Sequence, residues 1–106
     1  MSSKYEDRVL DYLKNYREVA RRVKEIVAQI DPEADVYVFG SVARGDYTAA
    51  SDIDVLVVTR RFELRHLIMV EVYRQVEAPI ELHVATPEML ERWYRRFIRP
   101  EEMVKI

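Results

Sequence analysis

Three carboxylates are the residues of this chain whose types and order could carry out chemistry. Asp52 and Asp54 stand at the start of an apolar run, and Glu81 stands at the start of a later one. Carboxylates gathered at one place repel each other unless cations neutralise them, and oxygen ligands of this kind suit Mg²⁺ or Mn²⁺. Two such ions about 3.5–4 Å apart support in-line phosphoryl or nucleotidyl transfer. We therefore predict that Asp52, Asp54 and Glu81 are both the metal ligands and the catalytic residues.

A second group of candidate residues precedes the acids. Gly40-Ser41 ends an apolar run, and a loop of ten residues separates this pair from Asp52. Glycine allows close backbone approach, and amides at the start of a helical turn can hold phosphate oxygens together with a serine hydroxyl. Arg44 can add a charge-assisted hydrogen bond to the same phosphates. We predict Gly40, Ser41 and Arg44 as nucleotide-binding residues, and we include Ser51, which directly precedes the acids.

Three predicted strands must bring these residues together. The strands cover Asp35–Phe39, residues 53–59 and Ile80–Ala85. Alternate side chains of a strand share a face, so Asp52 and Asp54 point the same way. The loop of ten residues lets the first two strands run antiparallel, and a helical crossover makes the second and third strands parallel. Glu81 is therefore expected beside Asp52 and Asp54 at one end of the sheet.

The predicted helices follow from apolar periodicity and from capping residues. Residues 3–30 are predicted as one long helix, with Ser3 and Glu6 at capping-box spacing. Two apolar lines run along it, and the second, which repeats every seven residues, contains Tyr5, Tyr12, Val19 and Ile26. Two interpretations stay open: a wide core-facing stripe, or a stripe that partly meets another protein. Residues 62–77 favour a helix over a strand because they contain neither Gly nor Pro. Pro87 opens a last helix that stops before Pro100.

The element order α-β-β-α-β-α predicts a small α/β domain with a mixed three-stranded sheet packed by helices. With 106 residues, the chain is expected to form a single domain over residues 1–106. No run approaches the roughly 18 apolar residues of a membrane span, and the N-terminus has no signal-peptide core, so a cytoplasmic location is expected.

Composition also excludes several classes of site. The absence of cysteine excludes disulfides, thiolate zinc sites and cysteine nucleophiles. A net charge of −2 without a basic run argues against strong nucleic-acid binding by this chain alone.

The segment GSVARGDYTAASDIDVLV resembles the G-S-x(10)-D-x-D signature of the DNA polymerase beta-like nucleotidyltransferase superfamily. Within it, the chain most resembles the minimal nucleotidyltransferase (MNT) family, over about residues 34–90. The resemblance implies the polymerase beta-like fold, two Mg²⁺ (or Mn²⁺) ions, and transfer of a nucleoside monophosphate from ATP or another nucleoside triphosphate. It further implies that Asp52 and Asp54 bind both ions and that Glu81 binds one and helps to activate the acceptor hydroxyl. Gly40 and Ser41 would bind the triphosphate.

The acceptor is expected on another molecule, because little chain is left over for an acceptor-binding domain. MNT proteins usually pair with a HEPN-domain toxin, a ribonuclease, and some neutralise it by adding AMP to a toxin tyrosine. The resemblance thus implies the antitoxin of a HEPN/MNT toxin-antitoxin system, acting as a protein adenylyltransferase. Two alternatives stay open: a non-catalytic antitoxin that binds its partner, and a small-molecule transferase similar to kanamycin nucleotidyltransferase. Homo-oligomer formation is also left open.

The remaining candidates are histidines and aromatic residues. His83 lies on the Glu81 face of its strand, where a hydrogen bond within the sheet is favoured over a role in the site. His66 is predicted at the surface. Tyr47 either stacks on a base or simply covers the loop. Three aromatic residues of the last helix are predicted in the core or in an interface rather than in a cofactor site: Trp93, Tyr94 and Phe97.

Overall fold

The computed structural model describes residues 3–106, and its N-terminal part contains two helices where the sequence predicts one. They are α1, Lys4–Lys14, and α2, Tyr16–Ala28. The prediction of one helix over residues 3–30 is therefore wrong at Asn15. The Asn15 side-chain amide donates a hydrogen bond to the Asp11 carbonyl (2.9 Å), and its backbone leaves the helical region at φ −102° and ψ 34°. Asparagine breaks helices in this way because its side chain competes for nearby backbone groups.

Both helices nevertheless bury an apolar face, as the periodicity predicts. Their buried residues are Val9, Leu13, Ala20, Val23, Ile26 and Val27. The predicted N-cap is confirmed, since Ser3 Oγ accepts a hydrogen bond from the Glu6 N–H at 3.0 Å. On the second apolar line, Tyr5 is exposed, so this line is not wholly part of the core. Contact with another protein along it stays a prediction.

The sheet has four strands rather than the predicted three. The strands are β1, Asp35–Phe39; β2, Ile53–Val58; β3, Ile80–Ala85; and β4, Val104–Lys105, in the spatial order β3-β2-β1-β4. β4 pairs antiparallel with β1, and the Ile106 N–H donates to the Val36 carbonyl at 2.9 Å. Two residues are too few to show a strand period in sequence, so β4 forms because the open edge of β1 offers backbone partners.

The strand directions match the prediction. β1 and β2 are antiparallel, with Phe39 opposite Asp54, and β2 and β3 are parallel, with Asp54 opposite Glu81. The crossover from β2 to β3 contains a 3₁₀ turn, Phe62–Leu64, and helix α4, Arg65–Gln75, which confirms the helical interpretation of this segment. The parallel register sets Asp54 and Glu81 side by side.

Short helical segments follow β1 and β3. Gly40–Arg44 forms the helical turn α3 between β1 and the loop. After β3 the chain continues through α5, Pro87–Met89, a π-helical turn, Leu90–Tyr94, α6, Arg95–Phe97, and a 3₁₀ turn, Pro100–Glu102. The last helix is thus present but interrupted by the π turn. Its predicted cap is confirmed, since Thr86 Oγ1 accepts a hydrogen bond from the Met89 N–H at 3.1 Å.

Apolar side chains pack on both faces of the sheet, but unequally. On one face, the core face, α1, α2 and α4 pack against residues that include Val38, Ile53, Val55 and Val57. The opposite face carries a smaller cluster of buried residues: Leu56, Val58, Ala85 and Leu90. We call this opposite face the site face, because alternation along β2 and β3 puts Asp54 and Glu81 on it. No helix within residues 3–106 is both long and apolar enough to cross a membrane.

Candidate active site

The site face brings two carboxylates and an imidazole together. Asp54, Glu81 and His83 each offer a ligand atom, and these atoms all lie within 4.8 Å of one another. Asp54 and Glu81 are directly paired across β2 and β3, and His83 follows two residues further along β3. The parallel register of β2 and β3 therefore confirms the prediction that Glu81 lies beside Asp54.

Asp54 is electrostatically the most perturbed residue of this cluster. Burial is the main cause that raises its pKa to about 6, and the negative charge of Glu81 adds to it. Hydrogen bonding to Glu81 and the charge of Asp52 raise the pKa further, while the guanidinium of Arg44 lowers it. A bound cation would act in the opposite direction, because it favours the ionised carboxylates. The geometry thus favours either a protonated Asp54 or a cation bound beside the ionised carboxylate.

Gly40 brings the helical turn α3 against this carboxylate. Its φ is +79°, in the left-handed region that favours glycine, and a Cβ built there would overlap the Asp54 carboxylate, with Asp54 Cγ only 3.1 Å away. Ser41 is the next residue of α3 and is half-buried. The structure therefore places the glycine-serine pair directly beside the acids, as the antiparallel β1–β2 pairing predicts.

The loop after α3 holds the two other predicted nucleotide-binding residues. Arg44 Nε lies 3.3 Å from Asp46 Oδ2, and its side chain is close enough to Asp54 for its charge to lower that pKa. Ser51 lies at the other end of the loop, where its Oγ accepts a hydrogen bond from the Thr48 N–H at 3.0 Å. Arg44 is therefore beside the acids, whereas the Ser51 hydroxyl helps to close the loop.

Asp52 lies apart from the cluster of ligand atoms. It is exposed, immediately before β2, and is not one of the three residues whose ligand atoms converge. Its charge nevertheless acts on Asp54, whose pKa it raises. The structure thus keeps Asp52 within electrostatic range of Asp54 and leaves its side chain open to solvent.

His83 is placed differently from the sequence interpretation. No hydrogen bond of residues 3–106 involves its side chain, so the predicted hydrogen bond within the sheet is wrong. Instead, Nε2 lies 3.8 Å from Glu81 Oε1 and 4.0 Å from Asp54 Oδ1. The ring lies between Phe39 (centroid distance 5.4 Å) and Tyr94 (6.1 Å). The two-residue spacing from Glu81 already indicated the shared face, but the aromatic neighbours of the ring come from other parts of the chain.

The other aromatic candidates separate into three groups. Tyr47 packs against the hydrophobic core from the loop, which agrees with the covering role. Tyr94 is half-buried on the site face, as part of the cluster around Leu56. Trp93 and Phe97 are exposed, which excludes the core alternative for them, and the interface alternative stays a prediction. His66 is exposed, as predicted.

The donor set of this cluster fits a divalent cation. Carboxylate oxygens suit Mg²⁺, Mn²⁺ and Ca²⁺, and an imidazole nitrogen suits first-row transition metals. The half-buried position of Asp54 beside a second carboxylate adds a physical reason for a cation to be bound there.

Comparison with known proteins agrees with this geometry. Residues 20–106 match the family described as "Nucleotidyltransferase domain". The fold is similar to the crystal structure of a protein provisionally assigned as a nucleotidyltransferase, with 32% sequence identity and a TM-score of 0.61, covering 81% of this chain and 95% of that one. It is also similar to a structure with the same provisional assignment from Sulfolobus solfataricus, with 28% identity and a TM-score of 0.57, covering 98% of this chain and 87% of that one.

Proposed function

Because this chain belongs to the nucleotidyltransferase domain family, we propose that it transfers AMP from ATP to a hydroxyl group on a partner protein. The general activity of the family is nucleotidyl transfer; the donor base, the acceptor and the partner are the proposed parts. The partner we propose is a HEPN-domain toxin, which this chain would neutralise as an antitoxin. That assignment follows from the resemblance to the MNT family.

One observation carries the proposal: Gly40 packs against the Asp54 carboxylate, so that the turn expected to hold phosphate adjoins the acids expected to hold the metal. Nucleotidyl transfer needs a phosphate-binding turn and metal-binding acids side by side. The reason is that the oxygens around the α-phosphorus must be neutralised by cations while that phosphorus is attacked. A site with acids but no room for phosphate beside them could bind a cation without performing this reaction.

Each residue of the site then has a defined task. Asp54 and Glu81, with Asp52, would hold the divalent cations, whose chemistry there would be to neutralise negative charge on the phosphate oxygens. Ser41 and the backbone at Gly40 hold the triphosphate oxygens, and the Arg44 guanidinium adds a positive charge beside them. Glu81 accepts the proton of the acceptor hydroxyl. At the same time the hydroxyl oxygen forms a bond to the α-phosphorus, and pyrophosphate leaves. Nucleotide binding by Ser51 would follow from its position at the end of the loop.

The test uses ATP labelled on the α-phosphate, Mg²⁺ or Mn²⁺, and the protein encoded beside this one. We expect label on a tyrosine of the partner and loss of labelling with Asp52→Asn, while Asp35→Asn, at the opposite end of the sheet from the acids, labels normally. Absence of transfer to every acceptor tried, with Asp52→Asn equal to the unsubstituted protein in pyrophosphate release, would overturn the catalytic proposal.

A binding role is the second candidate, and exposed aromatic residues favour it. Trp93 is 55% exposed and Phe97 is 84% exposed, both on the helical segment that follows β3. Aromatic side chains are enriched at the centres of protein interfaces. If Asp54→Asn still protects cells from the partner as well as the unsubstituted protein does, binding rather than catalysis is the mechanism.

A further inference from the structure

His83 is the member of the Asp54–Glu81–His83 cluster to which the proposed mechanism gives no task. Its side chain is 29% exposed and lies on the site face, at the register position of Leu56 on the neighbouring strand. Phe39 and Tyr94 are its aromatic neighbours, with ring centroids 5.4 Å and 6.1 Å from that of the imidazole. An imidazole placed in this way presents a nitrogen to the same space that the two carboxylates face.

The imidazole of His83 stands beyond hydrogen-bond distance from both carboxylates. Nε2 of His83 lies 3.8 Å from Glu81 Oε1 and 4.0 Å from Asp54 Oδ1, both beyond the roughly 3.2 Å limit of an N–H···O bond. Ligands bound at about 2.1 Å around one octahedral ion are separated by about 3 Å when adjacent and about 4.2 Å when opposite. The two His83 separations exceed the adjacent spacing by about 1 Å or less, so small side-chain rotations would bring the nitrogen and both carboxylates onto one ion.

A nitrogen ligand changes which cation the site prefers. Mg²⁺ is bound mainly through oxygen, whereas an imidazole nitrogen adds affinity for first-row transition-metal ions, among which Mn²⁺ shares the preference of Mg²⁺ for carboxylate oxygen. A site of two carboxylates and one imidazole therefore gains affinity for Mn²⁺ relative to Mg²⁺. Removing the nitrogen takes away this difference but leaves both carboxylates.

We propose that Nε2 of His83 binds the same divalent cation as Asp54 and Glu81, and that this nitrogen makes the site prefer Mn²⁺ to Mg²⁺. This inference rests on the metal site of the proposed function. It extends that function by adding a ligand from β3 that determines metal preference. His83 would thus contact the cofactor directly and would not act as a proton donor or acceptor in the reaction.

The test measures binding of Mn²⁺ and of Mg²⁺ to the nucleotide-free protein, and records pulsed electron paramagnetic resonance of the Mn²⁺ form. The variant is His83→Phe, which keeps an aromatic ring between Phe39 and Tyr94 and removes the nitrogen. The matched control is His66→Phe at the chain's other, exposed histidine. We expect ¹⁴N coupling to Mn²⁺ in the unsubstituted protein and in His66→Phe, and its loss in His83→Phe.

The affinities give a second readout. His83→Phe should weaken Mn²⁺ binding by about 10-fold or more and change Mg²⁺ binding by less than about twofold. An equal loss for both cations, unchanged Mn²⁺ affinity, or ¹⁴N coupling that survives in His83→Phe would each overturn the inference. If His83→Phe is poorly folded by circular dichroism, His83→Asn replaces it in the same measurements.

Failure of this inference can be told from failure of the proposed function. If Asp54→Asn abolishes Mn²⁺ binding while His83→Phe leaves it intact, the metal site stands and only the histidine ligand is rejected. If Asp54→Asn leaves Mn²⁺ binding unchanged, the metal site itself is rejected, and both proposals are rejected with it.

Discussion

The two faces of β2 differ sharply although they belong to one strand of six residues. On the core face, Ile53, Val55 and Val57 are fully buried under α1, α2 and α4. On the site face, Asp54 keeps a side chain 23% exposed, followed by Leu56 and Val58, which the C-terminal segment covers. Because successive side chains alternate between faces, one strand can anchor the core and present the acids at the same time.

The difference between the faces has an energetic meaning. Burial of apolar side chains stabilises the fold by about 25 cal/mol per Å². A half-buried carboxylate beside two others has a raised pKa and destabilises the fold when it is ionised. We therefore expect substitutions on the core face to reduce stability and leave nucleotidyl transfer intact. Substitutions of the acids should reduce nucleotidyl transfer without reducing stability.

The largest effect is expected when Asp54 becomes Asn. The change keeps the shape of the side chain but removes the charge that holds the cation, so nucleotidyl transfer should fall by about 10³-fold, measured as pyrophosphate release. Asp35→Asn, a carboxylate at the other end of the sheet, should change the rate by less than about twofold. A rate for Asp54→Asn within tenfold of the unsubstituted protein would contradict the assignment of the site face.

The next effect concerns the core face. Ile68→Ala, on the fully buried side of α4, should lower the free energy of unfolding by about 2–4 kcal/mol because it leaves a cavity. Urea unfolding measures this loss, and Mn²⁺ affinity of the folded protein should not change. Loss of metal affinity with little loss of stability would show that the two faces are not independent.

The two glycines give a matched pair of smaller changes. Gly40 and Gly45 have nearly the same backbone conformation, with φ of +79° and +82°, but a Cβ at Gly40 meets the Asp54 carboxylate and one at Gly45 meets nothing within 4 Å. Both Ala variants should lose about 1 kcal/mol of stability from backbone strain. Only Gly40→Ala should also slow nucleotidyl transfer, by about 10²-fold, because it displaces Asp54. Equal rates for the two variants would refute the close packing at Gly40.

The smallest effect is a pH-dependent gain of stability of Asp54→Asn over the unsubstituted protein. In the metal-free protein the pKa of Asp54 is raised from 3.8 to about 6, so the folded state holds the proton more tightly than the unfolded state. This contribution to stability is fully present below pH 3.8 and is lost as the pH rises through about 6. Asp54→Asn lacks the charge, and at pH 7.5 it should be more stable than the unsubstituted protein by about 1–2 kcal/mol, after allowance for solvent screening.

Unfolding in EDTA at pH 7.5 and pH 4 measures that gain, which should shrink at the lower pH. Adding Mn²⁺ at about 100 times its dissociation constant should stabilise only the unsubstituted protein, by about 2.7 kcal/mol. An Asp54→Asn variant less stable than the unsubstituted protein at pH 7.5 without metal would contradict the raised pKa.

Much of the fold could be predicted because its signals are local. The three long strands, the crossover helix and the cap at Thr86 each follow from residues a few positions apart. The break at Asn15 cannot be predicted from the apolar periodicity, because that periodicity continues across it. The first helix ends where the Asn15 side chain bonds to the Asp11 carbonyl. β4 was missed because its two residues carry no period and depend on the open edge of β1.

The sequence by itself determined that Asp54 and Glu81 meet, because the alternation along β2 and β3 and the helical crossover already set these two acids side by side. Only the tertiary structure decided how His83 is used and how far Asp52 stands from the cluster. The reason is that a strand period fixes the face on which a side chain lies. The direction of its terminal atoms depends on packing against residues that are distant in sequence. For His83 those neighbours are Phe39 and Tyr94, which no spacing along the chain connects to it.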